Sequence, residues 1–397
     1  MGDPRDEMPT LPTLRTDPLD PPEEFAGFRE GPPLRVRMAD GTTPWLVCRH
    51  ADARAVLADR RFSSDDTHPA FPRLLAVPPV KGALSFLRMD DAEHARMRRM
   101  LYGEFTVRRV NALRPDIVAL TDRLLDGMIG QGPPADLVAD FTLPLPSLVI
   151  CRLLGVPYAD HAFFQRCSVE LLNTADPVRA VAAIQLLGDY LGDLVAAKVA
   201  APSDDLLGRL APRVRAGELT EEELMLVARL LLVAGHETTA NMLSLGTVAL
   251  LRSPKQLAVL RDGPAAAAAV TEELLRYLSV IQFGLARVAR EPVRVGEVTI
   301  GAGEGVIVSV AAANRDAAHF TGDPDAFDAR RAQGHHVAFG YGMHLCVGAA
   351  LARLEMNVAL PRLFERLPRL ALAVPPDGVD YRHEQFVYGV GALPVTW

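Results

Sequence analysis

The chain of 397 residues is 49% hydrophobic with a formal net charge of −7. That is enough apolar content for a large core, and it excludes a nucleic-acid binder, whose affinity would come from a concentrated basic face. Four scattered cysteines, Cys48, Cys151, Cys167 and Cys346, lack the spacing of a zinc site or a secreted disulfide framework and fit a reducing compartment.

The start, MGDPRDEMPTLPTLRTDPLDPP, is charged and proline-rich, with no apolar stretch able to act as a signal or anchor. A cytoplasmic protein is therefore expected, with residues 1–16 flexible. Next, GFREGPPLRVRMADGTTPWLVCRH alternates apolar and polar residues around the turn signal ADGT and predicts a β-hairpin; ADARAVLADRRF predicts a helix. The proline-rich stretch from Asp66 to Leu87 has no helical period and is expected to be a long loop lining a pocket.

From about Ala92 to Leu251, apolar residues recur every three to four positions, which predicts helices broken at GQGPP, GVPYAD, AAPSDD and RAGELT. Strand signals return in VRVGEVTIGAGEGVIVSVAA and in the final EQFVYGVGALPVTW. No linker separates independent halves, so residues 17–397 are expected to form one mainly α domain with small β-sheets at one side.

Four stretches carry chemistry. The first is LMLVARLLLVAGHETTANMLSLGTVALL, interrupted by Arg229, His236, Glu237 and Asn241, and so a core helix rather than a membrane span. At its middle, Gly235 costs about 1 kcal/mol relative to alanine and Glu237 brings a carboxylate into buried surroundings. Either the helix kinks around a satisfied polar cluster, or a widened groove lets Thr238 donate a hydrogen bond and Glu237 relay protons.

In EELLRY, Glu273 and Arg276 share a helical face, and Arg331 of PDAFDARR could complete a buried cluster with them. In DAEHARMRRM, His94 and Arg98 are four apart: an exposed basic patch, or the anchor of a ligand with carboxylates. In FGYGMHLCVG, Gly340, Gly342 and Gly348 permit positive φ, and Phe339 offers an aromatic shield. Cys346 falls at or just before the start of an amphipathic helix, which favours the thiolate. It is either an inert buried cysteine or the axial ligand of an iron centre.

With these stretches in this order, the sequence resembles the cytochrome P-450 family of haem-thiolate monooxygenases over nearly its whole length. FGYGMHLCVG looks like the haem-binding loop, AGHETT the oxygen-activation groove, EELLRY the Glu-x-x-Arg pair and EHARMRR the propionate-binding helix. AGHETTANM, AAANRD and VLADRRFSSD are similar to soluble actinobacterial members that tailor secondary metabolites or attack xenobiotics.

The resemblance implies that Cys346 ligates the iron of haem b, with Phe339, Gly340, Gly348 and Ala234 around the cofactor and His94, Arg98, Arg287 and His344 on its propionates. It implies proton delivery to dioxygen by Thr238 with Glu237, and a brace of Glu273, Arg276 and Arg331. The substrate pocket would involve Ala234, Val280, Ile281, Gln282, Phe283 and Val387; these largely apolar residues suggest a sizeable hydrophobic ligand such as a macrolide or other polyketide.

The expected reaction inserts one atom of dioxygen into a C–H bond or an alkene. Electrons would come from NAD(P)H through a ferredoxin reductase and a ferredoxin, docking near Arg96, Arg98, Arg99, Arg108 and Arg109. The protein is expected to be a monomer. Three rivals are a peroxide-driven peroxygenase, which would not need Glu237 and Thr238, a haem sensor or ligand carrier without turnover, and zinc binding by His335, His336, His344 and Cys346.

Overall fold

The computed structural model describes residues 8–73, 85–171, 177–331, 334–383 and 385–397. Its chain divides into two compact units: Met1–Ala83, Leu87–Ala95 and Ala269–Cys346 make the first; Leu84–Phe86, Arg96–Ala268 and Val347–Trp397 the second.

The first unit holds a five-stranded sheet in the order Leu34–Arg35, Trp45–Val47, Gly305–Val308, Leu285–Ala289, Phe62–Ser63. The expected hairpin is there, with Leu34 opposite Leu46 and Arg35 opposite Trp45. Trp45–Val47 then runs parallel to Gly305–Val308, and the remaining pairs are antiparallel. Gly305–Val308 is buried at every position, as a Val- and Ile-rich central strand covered on both faces should be. Ala53, Val56 and Leu57 of the helix His50–Ala58 pack with Val47, Val306 and Val308 into one apolar cluster.

Residues 8–16 differ from the expected flexible start. Thr10 bridges Arg37, the Leu11 N–H donates to the Arg37 carbonyl at 3.0 Å, and Arg15 is buried with Nε on Gln282 Oε1 at 3.1 Å. The strand Leu285–Ala289 was not predicted either.

The second unit is helical: Val107–Ala112, Arg114–Gln131, Pro144–Leu154, His161–Leu171, Pro177–Ala200, Leu206–Arg215, Glu221–Arg252 and Ala349–Arg366, with a three-stranded sheet of Ala135–Asp136, Pro394–Thr396 and Ala371–Leu372. Thr220 and Glu223 close a capping box at the start of Glu221–Arg252, satisfying two backbone donors that would otherwise face no acceptor. From Thr239 to Leu250 every residue of that helix is buried, and Pro144–Leu154, Pro177–Ala200 and Ala349–Arg366 pack around it. Among the described residues no helix is long and apolar enough to cross a membrane.

Candidate active site

The loop Phe339–Cys346 folds in the first unit. Gly340 and Gly342 take φ of 71° and 72°, and a Cβ on Gly342 would stand 2.5 Å from the Leu57 carbonyl, so only glycine permits this approach to the helix His50–Ala58. The Cys346 N–H returns to the Phe339 carbonyl at 2.9 Å and closes the bend. Gly348, expected to share the positive φ, instead has φ −83° as the N-cap of Ala349–Arg366.

Cys346 is the one exposed cysteine of the four. Burial pushes the thiols of Cys48 and Cys151 up to about 12 and raises that of Cys167. The inert, buried reading therefore describes those three and not Cys346.

Around this loop the first unit gathers histidines and arginines. His94 and His344 lie with ring centroids 4.1 Å apart, and Ser64 Oγ is 3.0 Å from His344 Nε2. Asp90 accepts from the Ser64 N–H at 2.9 Å and from Arg290 at 2.7 Å. Arg287, on the strand Leu285–Ala289, is only 5% exposed. Burial, with the Arg88 charge second, pushes its guanidinium down to about 10. A negative charge beside such a buried cation would offset the cost of its burial. Arg98 belongs to the second unit, half-buried on the helix Asp91–Tyr102.

The predicted brace assembles. Arg276 grips Glu273 with two bonds of 2.7 Å, Arg331 Nε adds a third at 3.3 Å, and the Asp328 N–H a fourth at 2.9 Å. The same guanidiniums donate to the carbonyls of Asn314, Pro324, Ala326 and Asp323 and so tie the irregular segment 314–328 to the helix Pro264–Leu278. Among the described residues no three His, Cys, Asp or Glu side chains gather as a metal would need, which leaves the zinc reading without a ligand set.

In the second unit, the helix passes AGHETT without a break. The half-exposed Thr238 donates its hydroxyl proton to the Ala234 carbonyl at 2.8 Å, leaving its oxygen lone pairs as acceptors. Glu237 is buried, and its Oε2 accepts from Asn241 Nδ2 at 3.2 Å. Asn241 Oδ1 in turn accepts from the Val390 N–H at 3.3 Å. A Cβ on Gly389 would come within 1.8 Å of that oxygen, so glycine is required for the C-terminal turn to reach the helix.

Sequence reasoning missed Asn241 and Gly389, although Glu237 and Asn241 stand four apart on one helical face. It also missed Arg88, whose guanidinium lies 4.8 Å from the Phe71 ring centroid.

The expected pocket residues fall in different settings. Ala234 is exposed, Ile281 half-buried, and Val280 and Val387 buried. Gln282 is turned to Arg15, and Phe283 packs on the core cluster around Leu46 and Ile307. Of the loop from Asp66 to Leu87, residues 74–84 lie outside the described residues, and Ser85–Arg88 forms a 3-10 turn.

The chain is similar to known proteins over nearly its whole length. The cytochrome P450 family profile matches residues 267–375. The chain is 50% identical to a pentalenic acid synthase of Streptomyces avermitilis, covering 98% of this chain and 97% of the relative. It superposes on the crystal structure of the mycinamicin VIII C21 methyl hydroxylase of Micromonospora griseorubida bound to mycinamicin VIII with a TM-score of 0.93, at 41% identity over 98% of this chain and all of the other. MoxA of Nonomuraea recticatena, a CYP105 protein, gives 0.90 at 45% identity, with 98% of each chain covered.

Proposed function

Since the chain belongs to the cytochrome P450 family and is a P450 monooxygenase, we propose that Cys346 ligates the iron of haem b and that the substrate is a sizeable hydrophobic secondary metabolite of the macrolide or polyketide kind. The observation that carries the haem assignment is the contrast among the cysteines: three are buried, and the exposed one ends a bend that glycines hold against the helix His50–Ala58.

The residues fit the cofactor: a thiol, and beside it the buried Arg287 with His94 and His344, suited to paired carboxylates such as haem propionates. Arg98 serves as a further propionate ligand, Phe339 shields the sulfur, and Gly340 lies at the cofactor. Bound there, haem supplies the activation of dioxygen, one atom going to the substrate and the other to water.

The chain's own task is to bind, orient and move protons. With its proton committed to the Ala234 carbonyl, Thr238 Oγ1 accepts a hydrogen bond from an incoming donor and fixes that donor's position. Glu237 supplies an exchangeable proton one residue away, its carboxylate steadied by Asn241. This pair supports dioxygen rather than peroxide as oxidant; turnover sustained by hydrogen peroxide but absent with dioxygen and redox partners would reverse that choice.

Electrons arrive from NAD(P)H through a ferredoxin reductase and a ferredoxin. Of the arginines expected to dock it, Arg96 is bound to Glu223, and Arg109 lies 3.9 Å from Glu104. Exposed Arg99 and Arg108 beside exposed Tyr102 and Val107 make the better docking patch. Arg99→Glu should slow ferredoxin-supported turnover several-fold at low salt and less at high salt; unchanged turnover would refute docking there. The protein works as a cytoplasmic monomer in this reading.

A relative supports the substrate class: the mycinamicin VIII C21 methyl hydroxylase was crystallised with mycinamicin VIII. The decisive test is the absorption spectrum of the reduced, carbon monoxide-treated protein beside Cys346→Ala. A strongly red-shifted Soret band lost in the variant is expected; a spectrum indifferent to Cys346 would overturn the assignment. Macrolides should then shift the resting spectrum, and a response to small polar ligands alone would sink the substrate class.

A further inference from the structure

His236, the residue before Glu237 on the helix Glu221–Arg252, is 1% exposed and has no part in the function proposed above. Burying an imidazole is costly unless both ring nitrogens find partners. Its Nδ1 lies 3.0 Å from the Leu232 carbonyl oxygen, one turn back. A carbonyl can only accept, so Nδ1 carries the hydrogen, and in the neutral ring Nε2 is left with a lone pair. Among the described residues that nitrogen is buried without a hydrogen-bond partner. Glu237 Oε1 stands 3.9 Å from it.

The other side of Glu237 determines where a proton on this carboxyl can sit. Asn241 Oδ1 accepts from the Val390 N–H at 3.3 Å, which turns the amide nitrogen towards Glu237, and Oε2 accepts from that nitrogen at 3.2 Å. With a donor already on Oε2, a proton on the carboxyl belongs on Oε1, the oxygen beside Nε2. Without the proton, Oε1 and Nε2 meet acceptor to acceptor and repel. With it, a small rotation that closes the 3.9 Å gap joins them by one hydrogen bond. A single proton therefore separates two unsatisfied acceptors from one satisfied pair, and both side chains are nearly excluded from solvent.

We infer that His236 and Glu237 hold one proton in common, between Nε2 and Oε1, and that His236 is thereby the positioning residue for the proton that Glu237 supplies. While the proton is held, Oε1 is fixed on His236. Once Glu237 gives it up, the bare carboxylate faces the Nε2 lone pair again, and that repulsion favours prompt uptake of the next proton. The inference rests on the proton role proposed above for Glu237.

The experiment uses the holoenzyme, whose reduced carbon monoxide spectrum tests the haem reading by itself. Nitrogen-15 NMR of the histidine rings is then recorded on that diamagnetic complex, with His236→Phe identifying the His236 signals. In wild type the Nε2 resonance should lie away from the position of a free lone pair and toward that of a protonated nitrogen, and Glu237→Gln should move it back. A wild-type resonance at the lone-pair position, or one that Glu237→Gln leaves in place, would overturn the shared proton.

The second arm is NADPH-driven dioxygen consumption through a ferredoxin reductase and a ferredoxin, in light and heavy water. His236→Phe should slow it about threefold or more and enlarge its solvent isotope effect, yet add less than about 1.5-fold when placed on Glu237→Gln. Equal slowing in both backgrounds would make His236 a purely structural residue and overturn the inference, as would no slowing at all. If Glu237→Gln itself consumes dioxygen at the wild-type rate, the proton role of Glu237 falls, while the resonance still decides whether the proton is shared. Should His236→Phe fail to fold, His236→Gln, which offers an acceptor but no site for a proton, replaces it in both arms with the same expectations; a wild-type rate in that variant would overturn the inference.

Discussion

Glu273 and Glu237 are both carboxylates buried on helices, one in each unit, and they are held in opposite ways. Glu273 accepts from two guanidiniums and a backbone N–H, so its charge is matched twice over and its position fixed from four directions. Among the described residues, Glu237 has one neutral amide on Oε2 and, near Oε1, His236 Nε2 at 3.9 Å. The first arrangement spends every donor on immobility. The second leaves the carboxylate less tightly held, which suits a group meant to handle protons.

Removing Arg276 breaks this contrast most severely. Arg276→Leu strands part of the Glu273 charge and frees the carbonyls of Asn314 and Pro324; loss of about 3–5 kcal/mol is expected, read as a fall in thermal midpoint and in haem content of the expressed protein.

Next is Gly389→Ala, which forces the Asn241 amide off the C-terminal turn. A cost of about 1–3 kcal/mol by chemical denaturation is expected, because the Val390 N–H loses its acceptor.

Thr238→Ala should leave stability within about 0.5 kcal/mol and cut the product formed per dioxygen consumed roughly tenfold, about 1.4 kcal/mol at the transition state. Full coupling in that variant would refute the proton role. Glu237→Gln is isosteric and still able to accept from Asn241. A change below about 1 kcal/mol, with an increased solvent isotope effect on turnover, is expected; a loss as large as that of Arg276→Leu would erase the distinction drawn between the two carboxylates.

Much of this was legible in the sequence because it is written in local periods. The helices between Asp91 and Arg252 end where Gly, Pro and Asp clusters stop the three-to-four-residue repeat, and the hairpin around Gly41 follows from a turn between alternating residues. The Glu273–Arg276 pair needed only a spacing of three, whereas nothing local links Arg331 to Glu273 across 58 positions.

What escaped was set by distant partners. The strand Leu285–Ala289 has no clean alternation, because its central place between Gly305–Val308 and Phe62–Ser63 makes it a strand. Arg15 reads as part of a polar tail until Gln282, 267 residues away, is seen to accept from it. The exposure of Cys346 against three buried cysteines is likewise a property of packing that residue type cannot reveal.

The parallel pairing of Trp45–Val47 with Gly305–Val308 also governs how this chain is born. On the ribosome, the N-terminal strands are made some 260 positions before their partner, and their edges stay open until Val308 has left the exit tunnel. The helices of the second unit that precede Ala269 can condense during that wait. A nascent chain arrested near residue 300 should thus show protease-resistant helices beside a cleavable first sixty residues, and chaperone dependence should rise with any delay in translating that last quarter.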